Sequence, residues 1–330
     1  MKLLAGIDIG GTKCAVSLGA LDGDGDQITI VSKSRFATPS TPEEAIEKLL
    51  AALDQELTVR TGDKLAAIGI SCGGPLDSRR GLVLSPPNLP GWDAVDIVSP
   101  FVRRFGVPAA LQNDANACAL AEWKWGAGKG CSNMIFLTFG TGMGAGLILN
   151  GALYSGTNDM AGEVGHVRLE PDGPIGYGKA GSFEGFCSGG GIAQLAQRIV
   201  SQRLTAGEPP AFCQKAEELP GLTAELVGRA AQQGDPVAVD IYRQSALRLG
   251  RALALLVDVL NPQRIVIGSI YGRQKALMEP IVMEELRREA LPHSIAVCEI
   301  VQAGLGEQIG DYASLSVALN HLIQKGEVLL

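Results

Sequence analysis

Long apolar runs, basic clusters, aromatic residues and paired cysteines are all scarce in this chain. No stretch approaches the roughly 20 consecutive apolar residues of a membrane-spanning helix. The formal net charge is −7 and no Lys/Arg cluster interrupts that balance. This argues against nucleic acid or a membrane as a partner, since both bind through cations that neutralise phosphate. Aromatic residues make up 5% of the chain, and only 3 histidines occur. Seven cysteines stand at 14, 72, 118, 131, 187, 213 and 298 without a C-x-x-C pair. An odd, scattered set reads as reduced thiols rather than a disulfide framework. The apolar run from Met1 to Ile7 is too short for a secretory signal and has no cleavage site, so the expected compartment is the cytoplasm. Also missing is G-x-x-x-x-G-K-[ST], which excludes a Walker-type phosphate loop.

Glycine, by contrast, is abundant: 43 of 330 residues, with no collagen period. That frequency points to tight turns and close backbone approaches. The length suits two domains, and a composition 46% hydrophobic and 19% charged supplies two ordinary cores. The opening reads as a meander of strands over 3–9, 14–18 and 28–36, with a turn at Asp22-Gly23-Asp24-Gly25-Asp26. Thr41-Pro42-Glu43-Glu44 starts a helix that Ile46, Leu49, Leu50 and Leu53 carry to about residue 60. A strand over 65–71 leads into the Gly/Pro-rich segments 72–75 and 85–92, which exclude regular structure. A strand over 108–112 then meets a helix opening at Asn113-Asp114. Next comes an apolar strand over 133–139, a Gly/Thr turn, and a strand over 145–149, which repeats the opening strand–turn–strand. Two such copies suggest a duplicated architecture with a cleft between its halves. Further on, helices are expected over 191–203, 222–232, 235–260, 275–289 and 308–323, with strands over 264–268 and 295–301, an α/β pattern overall.

Four constellations can carry chemistry. In Asp8-Ile9-Gly10-Gly11-Thr12-Lys13, paired glycines let backbone N–H groups approach an anion, and Asp8 can hold Mg²⁺ through water. A plain Gly-Gly hairpin explains the same residues. The second loop has glycines at 140, 142, 144 and 146, but a strand follows, so a dinucleotide fingerprint is disfavoured and a triphosphate favoured. Asn113-Asp114 is either a simple helix cap or an ionised carboxylate able to accept the proton of an attacking hydroxyl. Glu163, His166 and Glu184 form a polar set suited to a polyhydroxylated ligand, although a lone histidine is more often structural.

Together these segments resemble the ROK family of sugar kinases and repressors. The likeness rests on DIGGTK at 8–13, CGGP at 72–75, PNLPGW at 87–92, NDANA at 113–117, FGTGMGAG at 139–146 and GEVGH at 162–166. It implies a two-domain, actin-like ATPase (ribonuclease H-like) α/β fold with the active site in an interdomain cleft. The expected smaller domain is 1–117 with about 308–330, and the larger is 118–307. The resemblance further implies an ATP- and Mg²⁺-dependent kinase acting on the 6-hydroxyl of a hexose or N-acetylhexosamine, glucose-type first, and assembled as a homodimer. Asp114 takes the role of catalytic base. Gly73, Gly74, Asn88, Asn113, Asp114, Glu163, His166 and Glu184 are the expected sugar contacts. Asp8, Gly10, Gly11, Thr12, Lys13, Gly140, Thr141, Gly142, Gly144, Gly189, Gly190 and Gly268 are the expected nucleotide contacts. At the last of these the family's usual Gly-Gly is Gly268-Ser269 here.

One departure stands out. The family commonly carries C-x-C-G-x-x-G-C-x-E after the histidine, and its three cysteines bind zinc with that histidine. Here the cysteine positions hold Ile175, Tyr177 and Ser182, so no zinc is expected. Apolar packing of Ile175, Tyr177 and Phe183 is expected to hold the loop instead. Two alternatives to the kinase are a sugar-responsive repressor and a sugar-binding protein without catalysis. The first calls for a DNA-binding helix-turn-helix ahead of the first loop, and that loop begins at residue 8.

Overall fold

A computed structural model describes residues 1–22, 27–60 and 62–326. The Gly/Asp turn expected at 22–26 therefore lies, beyond Asp22, outside the described residues. The chain divides into two compact units. One comprises Met1–Ser132, Gly146–Ala161 and Gly304–Leu330, the other Asn133–Ala145 and Gly162–Ala303.

The first unit is built on a five-stranded sheet: β1 (Lys2–Ile9), β2 (Lys13–Leu21), β3 (Ile28–Ala37), β4 (Lys64–Cys72) and β5 (Ala109–Asn113), in the order β3-β2-β1-β4-β5. β1 is parallel to β4 and antiparallel to β2, and β4 is parallel to β5. Alternate side chains of a strand face opposite sides, and both sides of β1 are covered. Leu3, Ala5, Ile7 and Ile9 enter a core with Ala45, Leu49 and Leu53 of the Pro42–Thr58 helix. That helix is capped as the sequence predicts, the Thr41 hydroxyl accepting the Glu44 N–H. Leu4 faces the other way, into a cluster with Leu315, Ala318, Leu319 and Leu322 of the Ile309–Gln324 helix.

This last helix lies unusually close to the sheet. A methyl group at Gly6 would overlap the Ser314 hydroxyl, and one at Gly69 would overlap the Ser314 carbonyl oxygen and the Ala318 nitrogen. Helix backbone therefore rests on strand backbone. The Asp114–Trp125 helix ends in a second fixed point. Glu122, fully buried, accepts N–H bonds from Ala127 (2.7 Å), Gly304 (3.0 Å) and Leu305 (2.9 Å).

The second five-stranded sheet comprises β6 (Met134–Phe139), β7 (Met143–Leu149), β8 (Ala152–Leu153), β9 (Arg264–Ile267) and β10 (Glu299–Gln302). Its order, β8-β7-β6-β9-β10, repeats that of the first sheet, so the strand–turn–strand similarity extends to the whole topology. The chain leaves the second unit within β7, after Ala145. The second unit's helical part follows the expected spans closely, with helices at Gly189–Thr205, Ala224–Gln232, Pro236–Leu260 and Lys275–Glu289. Asp235 caps the longest of these by accepting from Val237 and Ala238.

Two local expectations are corrected. Residues 295–301 are not one strand: Pro292–Ile295 forms a helical turn, because Pro292 suits a first helical position, and the strand is only Glu299–Gln302. The helix expected from 191 begins at Gly189, where the Ser188 hydroxyl caps it by accepting from Gly191. Past Cys72, the segments to 75 and over 85–92 are irregular as expected, while around them Leu76–Asp77, Leu82–Val83 and Val95–Asp96 form a small antiparallel sheet.

The Gly69→Ala substitution is expected to cost about 2–3 kcal/mol of unfolding free energy in urea, because rigid backbone has to move. Gly221→Ala, whose added carbon meets nothing within 4 Å, is expected to change stability by less than about 0.5 kcal/mol.

Candidate functional site

In the first unit, strand register decides which residues meet. Asp8 pairs with Ser71, Ile9 with Cys72, and Cys72 with Asn113. The carboxyl ends of β1, β4 and β5 thus line up and deliver Asp8, Gly73-Gly74 and Asn113-Asp114 to one edge, the usual place for ligands in parallel sheets. A carbon added at Gly74 would stand 3.2 Å from the Asn113 amide nitrogen, and one at Gly11 would stand 2.5 Å from the Asn88 carbonyl oxygen. All the first-unit candidates are therefore brought to one edge. The Gly10–Lys13 turn is tied down from behind. Gly10 N–H donates to the Lys13 carbonyl (3.0 Å), and the Thr38 hydroxyl donates to the Gly10 carbonyl (2.6 Å). Gly11, Thr12 and Lys13 are left exposed.

Asn113, not Asp114, is the helix cap; its side chain accepts from Ala115 N–H at 2.9 Å. Asp114 is the first helical residue. Its carboxylate accepts from the same N–H at 2.7 Å, and the residue is exposed. Protein crowds it elsewhere, and this desolvation raises its pKa while the Ala115 N–H and its own N–H pull it down. Asp8 is perturbed too. Burial, then the charges of Asp114 and Asp311, push it from 3.8 up to about 7, against the opposing pull of Arg35 and Lys33. Asp311 is itself ion-paired with Lys33 and, at 3.5 Å, with Arg35.

In the second unit, Gly268 N–H donates to the Leu137 carbonyl (3.0 Å) and Gly189 N–H to the Gly140 carbonyl (2.7 Å). The glycine loop after β6, the end of β9 and the N-terminus of the Gly189–Thr205 helix are thereby joined. Beside them opens a cavity of about 770 Å³, walled by Gly140, Thr141, Gly189 and Gly190, and by Thr223, Arg229, Tyr242, Ser269 and Arg273. Gly142, Gly144 and Gly268 are not part of that wall. Gly144 instead closes the loop by donating to the Thr138 hydroxyl (2.8 Å), and Gly142 lies against Glu184. Glu184, half-buried, accepts from Met143 N–H at 3.1 Å. Glu163 and His166 stand exposed at either end of the Val164–His166 turn. Its Gly165 presses on the Met143 carbonyl and the Glu184 side chain. The second-unit candidates therefore form two groups, one at the cavity and one around Glu184.

The 175–183 packing expectation is corrected. Phe183 is 1% exposed, but Ile175 and Tyr177 are 53% and 71% exposed. Polar ties hold the segment instead, because the Gln194 side chain accepts from Ile175 N–H and donates to its carbonyl, both at 2.9 Å.

Comparison with known proteins gives a family. The ROK family model matches residues 4–319. The chain belongs to the ROK family. It is 33% identical to a glucokinase of Streptomyces coelicolor over 94% of this chain and 95% of that one. It is also 33% identical to an N-acetylmannosamine kinase of Escherichia coli, over 84% and 88% respectively. Among solved structures, a ROK glucokinase from Streptomyces griseus in complex with glucose and AMPPNP aligns with a TM-score of 0.74 and 31% identity, covering 96% and 99%. A ROK transcriptional regulator aligns at 0.84 with 25% identity, covering 99% and 81%. The fold is that of the actin-like ATPases.

Sequence reasoning missed several residues of this ROK member's site. Thr223 and Arg229 reach the cavity wall from the cap and last turn of one helix, and Tyr242 and Arg273 from two others, so no single local spacing marks the set. Asp311 was also missed. Its available signals were the alternation of Lys33 and Arg35 along β3 and an acid in the first turn of the last helix.

The Asp8 shift has a sign. Between about pH 4 and 7 the unfolded chain releases this proton and the folded chain keeps it, so stability falls as pH rises through that window. Asp8→Asn removes the titration. Its advantage in unfolding free energy over the parent protein is expected to be about 2–3 kcal/mol larger at pH 8 than at pH 5, measured by urea unfolding without ligand.

Proposed function

We propose that this ROK protein catalyses ATP-dependent phosphorylation of a hexose or N-acetylhexosamine, glucose-type first and at the 6-hydroxyl, with Asp114 as general base. The observation that carries this is the near full-length match to glucokinases, joined to a solvent-open carboxylate at the sheet edge where the NDANA segment begins. Phosphoryl transfer asks a protein mainly for positioning and charge stabilisation. Asp114 has the form the role requires: it is reachable, oriented by a helix N-terminus, and adjacent to Asn113, which is assigned to a sugar hydroxyl.

The residues present fit a nucleotide. The second-unit cavity offers glycine backbone at Gly140, Gly189 and Gly190, a threonine hydroxyl at Thr141, and cationic side chains at Arg229 and Arg273. Gly10 to Lys13 are assigned to phosphate as well. They also fit a magnesium ion held mainly by phosphates, with Asp8 as an oxygen donor through water. When bound, that ion supplies neutralisation of phosphate charge. Gly73, Gly74, Asn88, Glu163, His166 and Glu184 are assigned to the sugar. Of these, Glu184 is already engaged with Met143 N–H, so its part is to hold the Gly165 turn as well as the ligand. The reading includes a cytoplasmic homodimer. No described helix is long and apolar enough to cross a membrane.

A second reading is a sugar-responsive regulatory protein without turnover. The close alignment with the ROK regulator favours it. A screen of ATP consumption over glucose, N-acetylglucosamine, N-acetylmannosamine and allose separates the two, since the regulator reading requires sugar binding with no turnover on any of them. For the kinase, Asp114→Asn is expected to lower kcat by about 10²–10⁴-fold while glucose binding by calorimetry stays within a few fold. Retention of the parental rate would remove Asp114 from the role of base.

A further inference from the structure

Ile175, Tyr177 and Ser182 provide no soft donor where the family places its zinc cysteines, and among the described residues no three His, Cys, Asp or Glu side chains converge as a metal set. The segment does not fit zinc. We infer that the 175–180 hairpin is a metal-free staple for His166, and that Tyr177 is a positioning residue that sets the orientation of the His166 imidazole.

The backbone of the hairpin is the first evidence. Ile175 pairs with Ala180 and Gly176 with Lys179, so Tyr177-Gly178 is a two-residue loop. Both loop residues have positive φ, 46° and 75°, which a type I′ loop requires and which glycine or asparagine supplies at least cost. A tyrosine is a poor choice for such a position. Burial does not compensate for it, since the side chain is 71% exposed. The contact it does make is with His166: the ring centroids are 6.2 Å apart and the planes meet at 79°, an edge-to-face pair.

The second line of evidence is the set of ties between hairpin and histidine segment. Lys179 Nζ donates to the His166 carbonyl oxygen (2.8 Å), and Arg168 Nη1 donates to the Ala180 carbonyl (2.9 Å). Gln194 anchors the other strand through Ile175. Ser182, at the last of the cysteine positions, caps the following turn by accepting from Gly185 N–H (3.1 Å). Hydrogen bonds thus fix the backbone of His166 relative to the hairpin, and the Tyr177 ring limits the rotation of its side chain.

The consequence for sugar binding rests on the role given to His166 above, so the test has two readouts. With 3 histidines in the chain, the imidazole region of a ¹⁵N-labelled sample contains three sets of signals. Tyr177→Asn removes the ring and suits the loop better. It is expected to leave Tm unchanged or raised, to shift the His166 signals, and to leave those of His293 and His321 in place. Tyr177→Phe keeps the ring and is expected to retain the parental His166 signals. Unmoved His166 signals in Tyr177→Asn would overturn the inference. So would displacement of all three histidines with a lowered Tm, which would mean general loosening. The second readout is kinetics with glucose and ATP. Tyr177→Asn is expected to raise the KM for glucose roughly 3–10-fold at nearly constant kcat, with recovery in Tyr177→Phe. A shifted His166 spectrum with no effect on glucose would support the positioning role and count against the sugar-binding role of His166.

Discussion

The backbone contact between the last helix and strands β1 and β4 is the constraint on which the first unit depends. Only hydrogen atoms at Gly6 and Gly69 allow Ser314 and Ala318 so close. This approach sets the depth at which Ile309–Gln324 lies on the sheet, and with it the position of Asp311 at that helix's start. Asp311 then contributes negative charge beside Asp8 and Asp114, while Lys33 and Arg35 offset part of it. The electrostatics of the site edge are therefore a product of packing, not of any one motif. Burial first, and the neighbouring acids second, push the Asp8 carboxyl up.

The second unit solves the same topological problem with a different emphasis. Its sheet repeats the strand order of the first, but its functional loops are fastened by polar side chains. Thr138 closes the glycine loop, Glu184 supports it at Met143, and Ser188 and Asp235 start the Gly189–Thr205 and Pro236–Leu260 helices. The buried Tyr242, donating from its hydroxyl to the Ala224 carbonyl at 2.7 Å, ties the long helix to the start of the Ala224–Gln232 helix, and both reach the cavity. Arg251 does similar work away from the cavity, pairing with Glu170 and the nearly fully buried Glu285. Such paired charges hold elements in register, and removal of one partner leaves the other uncompensated.

Local signals were read well because their physics is local. Thr41-Pro42 and Asp235-Pro236 start helices at the expected residues, since a cap needs only neighbours three positions away. The 295–301 segment was misread because its apolar residues are shared between a helical turn and an edge strand, and Pro292 had the deciding influence. The exposure of Ile175 and Tyr177 was misread for a different reason. Apolar character suggests burial, but a two-residue loop whose central positions both need positive φ projects from the surface whatever its side chains. Of the second-unit cavity wall, Gly140, Thr141, Gly189 and Gly190 were legible in the sequence, but its helical side was not, because the helix that carries Thr223 and Arg229 meets Tyr242 and Arg273 only through packing.

By itself, the sequence determined the family, the α/β class, the duplicated strand–turn–strand units and the glycine loops, since each depends on residue type at fixed short spacing. It also determined that the soft ligands of the zinc motif are missing. Only the tertiary structure decided that Asn113 rather than Asp114 caps its helix, that Asp311 joins Asp8, and that Glu184 is engaged by the second loop. The same holds for the contact between Tyr177 and His166. Each of these is a distance between residues brought together by sheet register, helix depth or a folded-back hairpin, quantities that the packing of the whole unit sets.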